Sequence, residues 1–361
     1  MLDKAASEFS KKQLAPEREL HDKYPFGPFY HDVIEKAFEV DFFHVTLPEE
    51  LNGMGQGMSA LSVVLYNICQ EDSSLGGVIF TNAAAQQILL EAGENERLKE
   101  LTQSRSVRDY LIAFPAFNDP SEISHCATVR MEGASCRLSG MVEYVVLGGL
   151  ARYALIPGKM EGEPGYSFYL VKTGEPSVKI SEPVLSLGLH ACPSVDMTLN
   201  HTPAVRIGKS GNGEHYFLKM ADRFHVAAAA MSAGIIQGAF KEAFSYCKGR
   251  FQGGHAIINW SEVKMMLANV AIQVENAEMI LESACRSVDD NEPKSGVRAR
   301  SAALHVQELA CEAATDGIQL LGGVGYMKDF GQEKRYRDAK QVQALLGLAP
   351  LKRIHCLERM I

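Results

Sequence analysis

The sequence predicts an α+β chain of three successive regions: helical over residues 1–105, antiparallel β over 106–214, and a four-helix bundle over 215–361. Three observations carry that expectation. Apolar residues recur at helical spacing up to about Ser104. Short β-rich stretches separated by Gly, Pro and Asn turns then run from Val107 to Gly213. Long periodic segments resume at Glu214 and continue to the end of the chain.

In the first region the spacing predicts a helix over residues 2–23 that stops near Pro25, because proline lacks the N–H a helix needs. Further helices are expected over 31–43, 58–70 and 75–93, separated by Gly, Pro or acidic residues, with Leu47–Gly55 as a loop. The second region reads as roughly eight short strands, among them 109–117, 136–148, 166–172 and 195–205. The third holds an alanine-rich helix to about Gly249, then helices over Asn259–Val288, Lys294–Leu321 and Gln332–Met360. Four such helices bury their apolar seams against one another.

A net charge of -8, with no basic run interleaved with aromatics, argues against a nucleic-acid surface. The longest apolar stretch, Val226–Ile236, is too short to span a bilayer, and the N-terminal residues lack an apolar signal region. A cytoplasmic protein without membrane insertion is therefore expected. The 8 cysteines contain no CxxC pair and the 11 histidines no HExxH or HxxxH spacing, so no metal site is expected. Neither a GxxxxGK[ST] loop nor GxGxxG is present, so a nucleotide cofactor is not held by a Rossmann unit.

Ile318–Lys340 is the most informative segment. Gly322, Gly323 and Gly325 interrupt a helical pattern that resumes through Arg335-Tyr336-Arg337-Asp338-Ala339-Lys340. Glycine costs about 1 kcal/mol per residue relative to alanine in a helix. Such a cluster implies a sharp turn or a close approach to the main chain. The string resembles the C-terminal motif of the acyl-CoA dehydrogenase flavoproteins, Gln-Leu-Leu-Gly-Gly-x-Gly-Tyr followed by Arg-Asp-Ala-Lys. Leu47–Gly55 is similar to the Pro-Glu-Glu-x-Gly-Gly-x-Gly turn of that family. The order of helical region, β region and bundle extends the resemblance to nearly the whole chain.

The resemblance implies FAD as cofactor, a homotetramer or dimer of dimers, and an electron-transfer flavoprotein as acceptor. It places Gln319, Gly322 and Gly323 against the ADP half of FAD across a subunit boundary, and Arg250 on the pyrophosphate. A planar guanidinium suits two phosphate oxygens. On the ring side, Tyr144 and Val146 fall where the family has Trp-Ile-Thr or Trp-Ile-Ser, and Phe114 opens the stretch replacing Thr-Glu-Pro-x-Ala-Gly-Ser-Asp. Val146 cannot supply the hydroxyl that bonds flavin N5.

In the implied reaction a carboxylate removes the α-proton of an acyl-CoA thioester and the β-hydrogen passes as hydride to flavin N5. Leu346 stands where most members carry the catalytic glutamate. A minority place the base on the first bundle helix before an arginine, which here is Asp222-Arg223. Asp222 is thus the candidate base, expected in the opening turn of that helix, where an aspartate also complements the helix dipole. Arg223 and Gly347, beside the two base positions, are the implied substrate contacts. The unusual base position suggests a branched, cyclic or aromatic acyl group. The alternative is a non-catalytic or cofactor-sharing subunit of a heteromeric dehydrogenase; an oxidase-like branch is a third reading.

Overall fold

The computed structural model describes residues 1–23, 27–104, 106–121, 123–133 and 135–361. The expected helix stop at Pro25 lies outside them. Helix α1 (Leu2–Phe9) passes into a π turn over Ser10–Leu14 and a 3₁₀ turn over Ala15–Glu17 before α2 (Arg18–His21). The single helix expected over 2–23 is therefore interrupted at Pro16, which removes a backbone donor. Then follow α3 (Gly27–Glu39), α4 (Met58–Cys69), α5 (Ser73–Glu91), α6 (Asn95–Thr102) and α7 (Val107–Tyr110). Asp72 starts α5 by accepting the Ser74 N–H at 2.8 Å, which satisfies one of the helix's free donors.

The middle strands are β1 (Ile112–Ala113), β2 (Ala127–Glu132), β3 (Ser135–Val146), β4 (Tyr153–Met160), β5 (Ser167–Lys172), β6 (Val178–Ile180) and β7 (Ser194–Ile207). They form one sheet in the order β1-β4-β2-β3-β7-β5, with β6 beside β7. Strand β4 pairs with β2 and also with β5, which closes a ring. Most pairs are antiparallel, but β1–β4 and β2–β4 are parallel. That mixture is invisible to local alternation, because pairing direction depends on how distant segments meet.

The C-terminal part begins with α8 (Gly213–Gly249), continues through the hairpin of β8 (Phe251–Gln252) and β9 (His255–Ala256), and goes on to α9 (Ser261–Asp289) and α10 (Ser295–Leu321). Alanines 227–230 are all buried. Gly234 and Gly238 let α8 press on α4: a Cβ at either would meet the carbonyl of Tyr66 at 2.4 Å or of Gln70 at 2.2 Å. The last expected helix, 332–360, is split into α11 (Gln332–Val342) and α12 (Ala349–Glu358). Leu346 and Gly347 take φ of +60° and +101°, which an α-helix cannot hold, and Pro350 opens the new helix. One continuous buried core runs through the N-terminal helices, the sheet and the bundle. Among the described residues no helix is long and apolar enough to cross a membrane.

Candidate functional site

The glycine turn and Arg250 share one corner of the bundle. Gly322 caps α10 with φ +61°, and a 3₁₀ turn covers Gly322–Tyr326. No atom lies within 4 Å of a Cβ built at Gly322 or Gly323, so their main chain is open to a close approach. Gly325 is different: a Cβ there would meet the Ile318 carbonyl at 2.3 Å, which makes it a packing glycine. Gln319 is exposed beside them. Arg250 ends α8, its N–H bonded to the Tyr246 carbonyl at 2.8 Å, with its side chain exposed. The helix ends that carry them rest on a satellite core that includes Ala243, Cys247, Leu320 and Leu321. An exposed cation next to bare glycine backbone fits the phosphate half of a dinucleotide.

The three ring-side candidates are placed unequally. Phe114 and Val146 are fully buried and face each other in a backbone bridge, each N–H bonded to the other's carbonyl at 3.1 Å. Their side chains belong to the core of the β region, which leaves their main chain as the part that could face a ring. Tyr144 is 41% exposed, at φ +55° in a register shift of β3, with its N–H on Asp196.

Asp222 is nearly three turns inside α8, whose N-cap is Asn212. The expected opening-turn position is thereby corrected: a helix dipole acts within the first turn and not this far along. The carboxylate is one-quarter exposed and pairs with Arg359, near the end of the chain; Arg300 of α10 lies 3.9 Å away. It also lies under Gly296, where a Cβ would meet its carboxyl carbon at 2.5 Å. Arg223 is half-buried, with no partner for Nε among the described residues. One turn on, buried His225 donates Nδ1–H to the Ala221 carbonyl. Burial holds its pKa well below the usual histidine value, with Arg300 and Lys352 adding to the effect.

The segment between α11 and α12 is tied down on two sides. The Leu346 N–H bonds the Ala116 carbonyl at 2.8 Å, and Gly347 abuts Asp119. Lys352 donates Nζ to the carbonyls of Gln343 and Leu345 at 2.8 and 3.0 Å. Burial, then Arg300 and Arg353, push its pKa down to about 7. The Leu346 side chain is buried, so neither an acid nor a free amide is offered at this point.

Lys334, Arg335, Arg337 and Asp338 of α11 form a largely buried network. Lys334 bridges Asp338 and Asp72 at 2.6 and 3.0 Å. Arg335 holds the Gln70 carbonyl, and Arg337 pairs with Asp22 and Glu333. His190 reaches Asp22 at 3.0 Å. Burial opposes the Asp22 charge, but His190 and Arg337 overcome it and hold the carboxyl below the usual range.

Sequence reasoning missed Arg300, Lys352 and Arg359 around Asp222.

Residues 1–103 match the family model described as acyl-CoA dehydrogenase, N-terminal domain, and residues 211–360 the corresponding C-terminal domain. The acyl-CoA dehydrogenase of Bacillus subtilis is 25% identical, over 98% of this chain and 95% of its own. The caffeyl-CoA reductase-Etf complex subunit CarC of Acetobacterium woodii is 26% identical, over 94% and 92%. Butyryl-CoA dehydrogenase of Megasphaera elsdenii superposes with a TM-score of 0.88 at 20% identity, over 99% of this chain and 97% of that one.

Proposed function

The chain belongs to the acyl-CoA dehydrogenase family, and from that premise we propose that it oxidises or reduces an acyl-CoA thioester across Cα–Cβ, with Asp222 exchanging the α-proton. It is an oxidoreductase acting on acyl-CoA, and its cofactor is FAD. When bound, FAD supplies the two-electron acceptor or donor for the β-hydrogen. In our reading Arg250, Gln319, Gly322 and Gly323 hold its phosphate and adenosine half, and Tyr144 alone of the ring-side candidates meets the ring system. Phe114 and Val146 shape that wall from behind.

The observation that carries the reading is the setting of Asp222. It is a part-buried carboxylate on α8, next to Arg223, paired on its solvent side with the more exposed Arg359. Release from Arg359 frees an oxygen for the α-proton in the oxidative direction; the reverse transfer serves reduction, the direction named for the Acetobacterium relative. Arg223 and Gly347 are proposed to line the acyl thioester. An electron-transfer flavoprotein is the proposed electron partner, as the Etf in that relative's name suggests. A homotetramer or dimer of dimers is proposed because the glycine turn and Arg250 lie on an exposed face that a neighbour's cofactor can use.

The test is to purify the protein, measure its flavin, and record bleaching by a panel of straight, branched, cyclic and aromatic acyl-CoAs. Asp222→Asn is expected to abolish bleaching while flavin stays bound. Undiminished bleaching ends the assignment.

One observation favours a second reading, a cofactor-sharing subunit of a heteromeric dehydrogenase. At the usual base position Leu346 offers no proton acceptor, and its amide is occupied by Ala116. A colourless protein that takes up FAD only with a sister subunit supports this reading; a homomeric assembly with one FAD per chain refutes it.

A further inference from the structure

Arg300 is a buried cation with too few anions around it. Its side chain is 3% exposed, and among the described residues Nε and Nη1 have no hydrogen-bond partner. The nearest carboxylate is Asp222, 3.9 Å from Nη2, and Asp222 is already bonded to Arg359. Asp119 also attracts Arg300, more weakly than Asp222 does. On the other side stand Arg359, Lys352 and the buried ring of His225, whose Nε2 has no hydrogen-bond partner among the described residues. Burying a guanidinium without matched acceptors is costly, so such a group is normally completed by an anion.

We infer that Arg300, together with Arg359, forms a carboxylate subsite for the far end of the acyl group, so that the preferred thioesters are short dicarboxylic ones. The inference rests on the reading of Asp222 as the residue beside the acyl α-carbon. A planar fork with unfilled donors matches a carboxylate's two oxygens. The CoA phosphates are not candidates, because the pantetheine arm separates them from the thioester. With the α-carbon at Asp222, an anion reaching Arg300 must sit a few bonds along the same acyl chain. Arg359 then has two roles in turn: it holds Asp222 in the empty site and shares the incoming carboxylate in the filled one.

The experiment is equilibrium binding of glutaryl-CoA and pentanoyl-CoA, chains of equal length that differ at the end, to the purified flavoprotein. Wild type is expected to bind glutaryl-CoA about tenfold or more tightly than pentanoyl-CoA, as charge-assisted hydrogen bonds to a buried arginine imply. Arg300→Gln is expected to bring the ratio close to one and Arg300→Lys to keep part of it, with melting curves confirming that each variant is folded. Equal affinities in wild type overturn the subsite whether or not any variant folds. An undiminished ratio in folded Arg300→Gln does the same. Asp222→Asn separates the two claims: it is expected to widen the preference for glutaryl-CoA by removing a competing carboxylate while it abolishes flavin bleaching. Bleaching that survives with the preference widened refutes the proton role and leaves the subsite standing. Failure of glutaryl-CoA to bind refutes the subsite and leaves the proton role to the bleaching panel.

Discussion

Replacing Lys334 with methionine is expected to destabilise the protein by about 3–5 kcal/mol, the usual loss when one partner of a buried ion pair is removed. Three places in the chain meet at this ammonium. Lys334 on α11 is 2% exposed and bonds Asp338 one turn away and Asp72 at the start of α5. Asp72 also caps Ser74, and Asp338 accepts the Leu189 N–H of the β region at 2.8 Å. Methionine fills the stem but leaves both carboxylates buried with a single backbone donor each. Burial alone opposes the Lys334 charge, yet Asp338 and Asp72 outweigh it and raise its pKa, which shows the attraction dominating. The assay is chemical denaturation followed by circular dichroism, with the m-value checked for constancy. Burial raises the Asp338 carboxyl above its unfolded value. Without Lys334 that effect grows, so the variant's deficit is expected to increase as pH rises through the carboxylate range and to shrink in acid. Adding Asp72→Asn and Asp338→Asn is expected to recover part of the loss. A deficit below about 1 kcal/mol, or one independent of pH, refutes the account of a dry, mutually dependent triad.

Two further expectations concern the site. Lys352 has a pKa of about 7 in the folded chain against 10.5 for an ordinary lysine, so the unfolded chain binds more protons between those values and wild-type stability rises with pH across that window. The stability of Lys352→Met relative to wild type is therefore expected to fall from pH 7 to pH 10.5, by a swing on the order of 5 kcal/mol, and a flat difference in parallel denaturation curves refutes it. At Gly322, φ +61° with open space above it makes alanine a backbone cost and not a clash. Gly322→Ala is expected to lose about 1 kcal/mol and to release FAD faster on dilution; unchanged flavin retention refutes the turn's role in the cofactor seat.

The bundle was legible because α8, α9 and α10 repeat their apolar positions over many turns, so tertiary packing and local pattern agree. The break at Leu346 was not, since leucine is a strong helix former and its positive φ is imposed by Ala116 and Lys352 from outside the segment. Parallel pairing of β4 with β1 and β2 escaped notice for a similar reason: alternation reports which face is buried and not which way a neighbour runs. At the site, the glycines announced themselves by composition, and the structure separates open Gly322 and Gly323 from packed Gly325. The burial of Lys334, Arg335 and Asp338 was not legible, because their partners Asp72 and Gln70 lie far away in sequence. Arg300 and Lys352 were silent for the same reason. A lone cation in a helix looks solvated until the elements around it are known.

The segment joining α11 to α12 has one more consequence. Its course is set by contacts that never involve the Leu346 side chain's chemistry: a backbone bond to Ala116, two carbonyls gripped by Lys352, and Gly347 against Asp119. Leucine even occupies a φ better suited to glycine or asparagine, a local strain the surroundings impose. The main-chain course of this corner is thus fixed by bonds that any residue but proline at 346 would leave in place, while the leucine side chain itself fills the core. A lineage built this way can surrender a proton-transferring side chain without surrendering its fold, and chemistry is then free to migrate to another helix while the old scaffold persists.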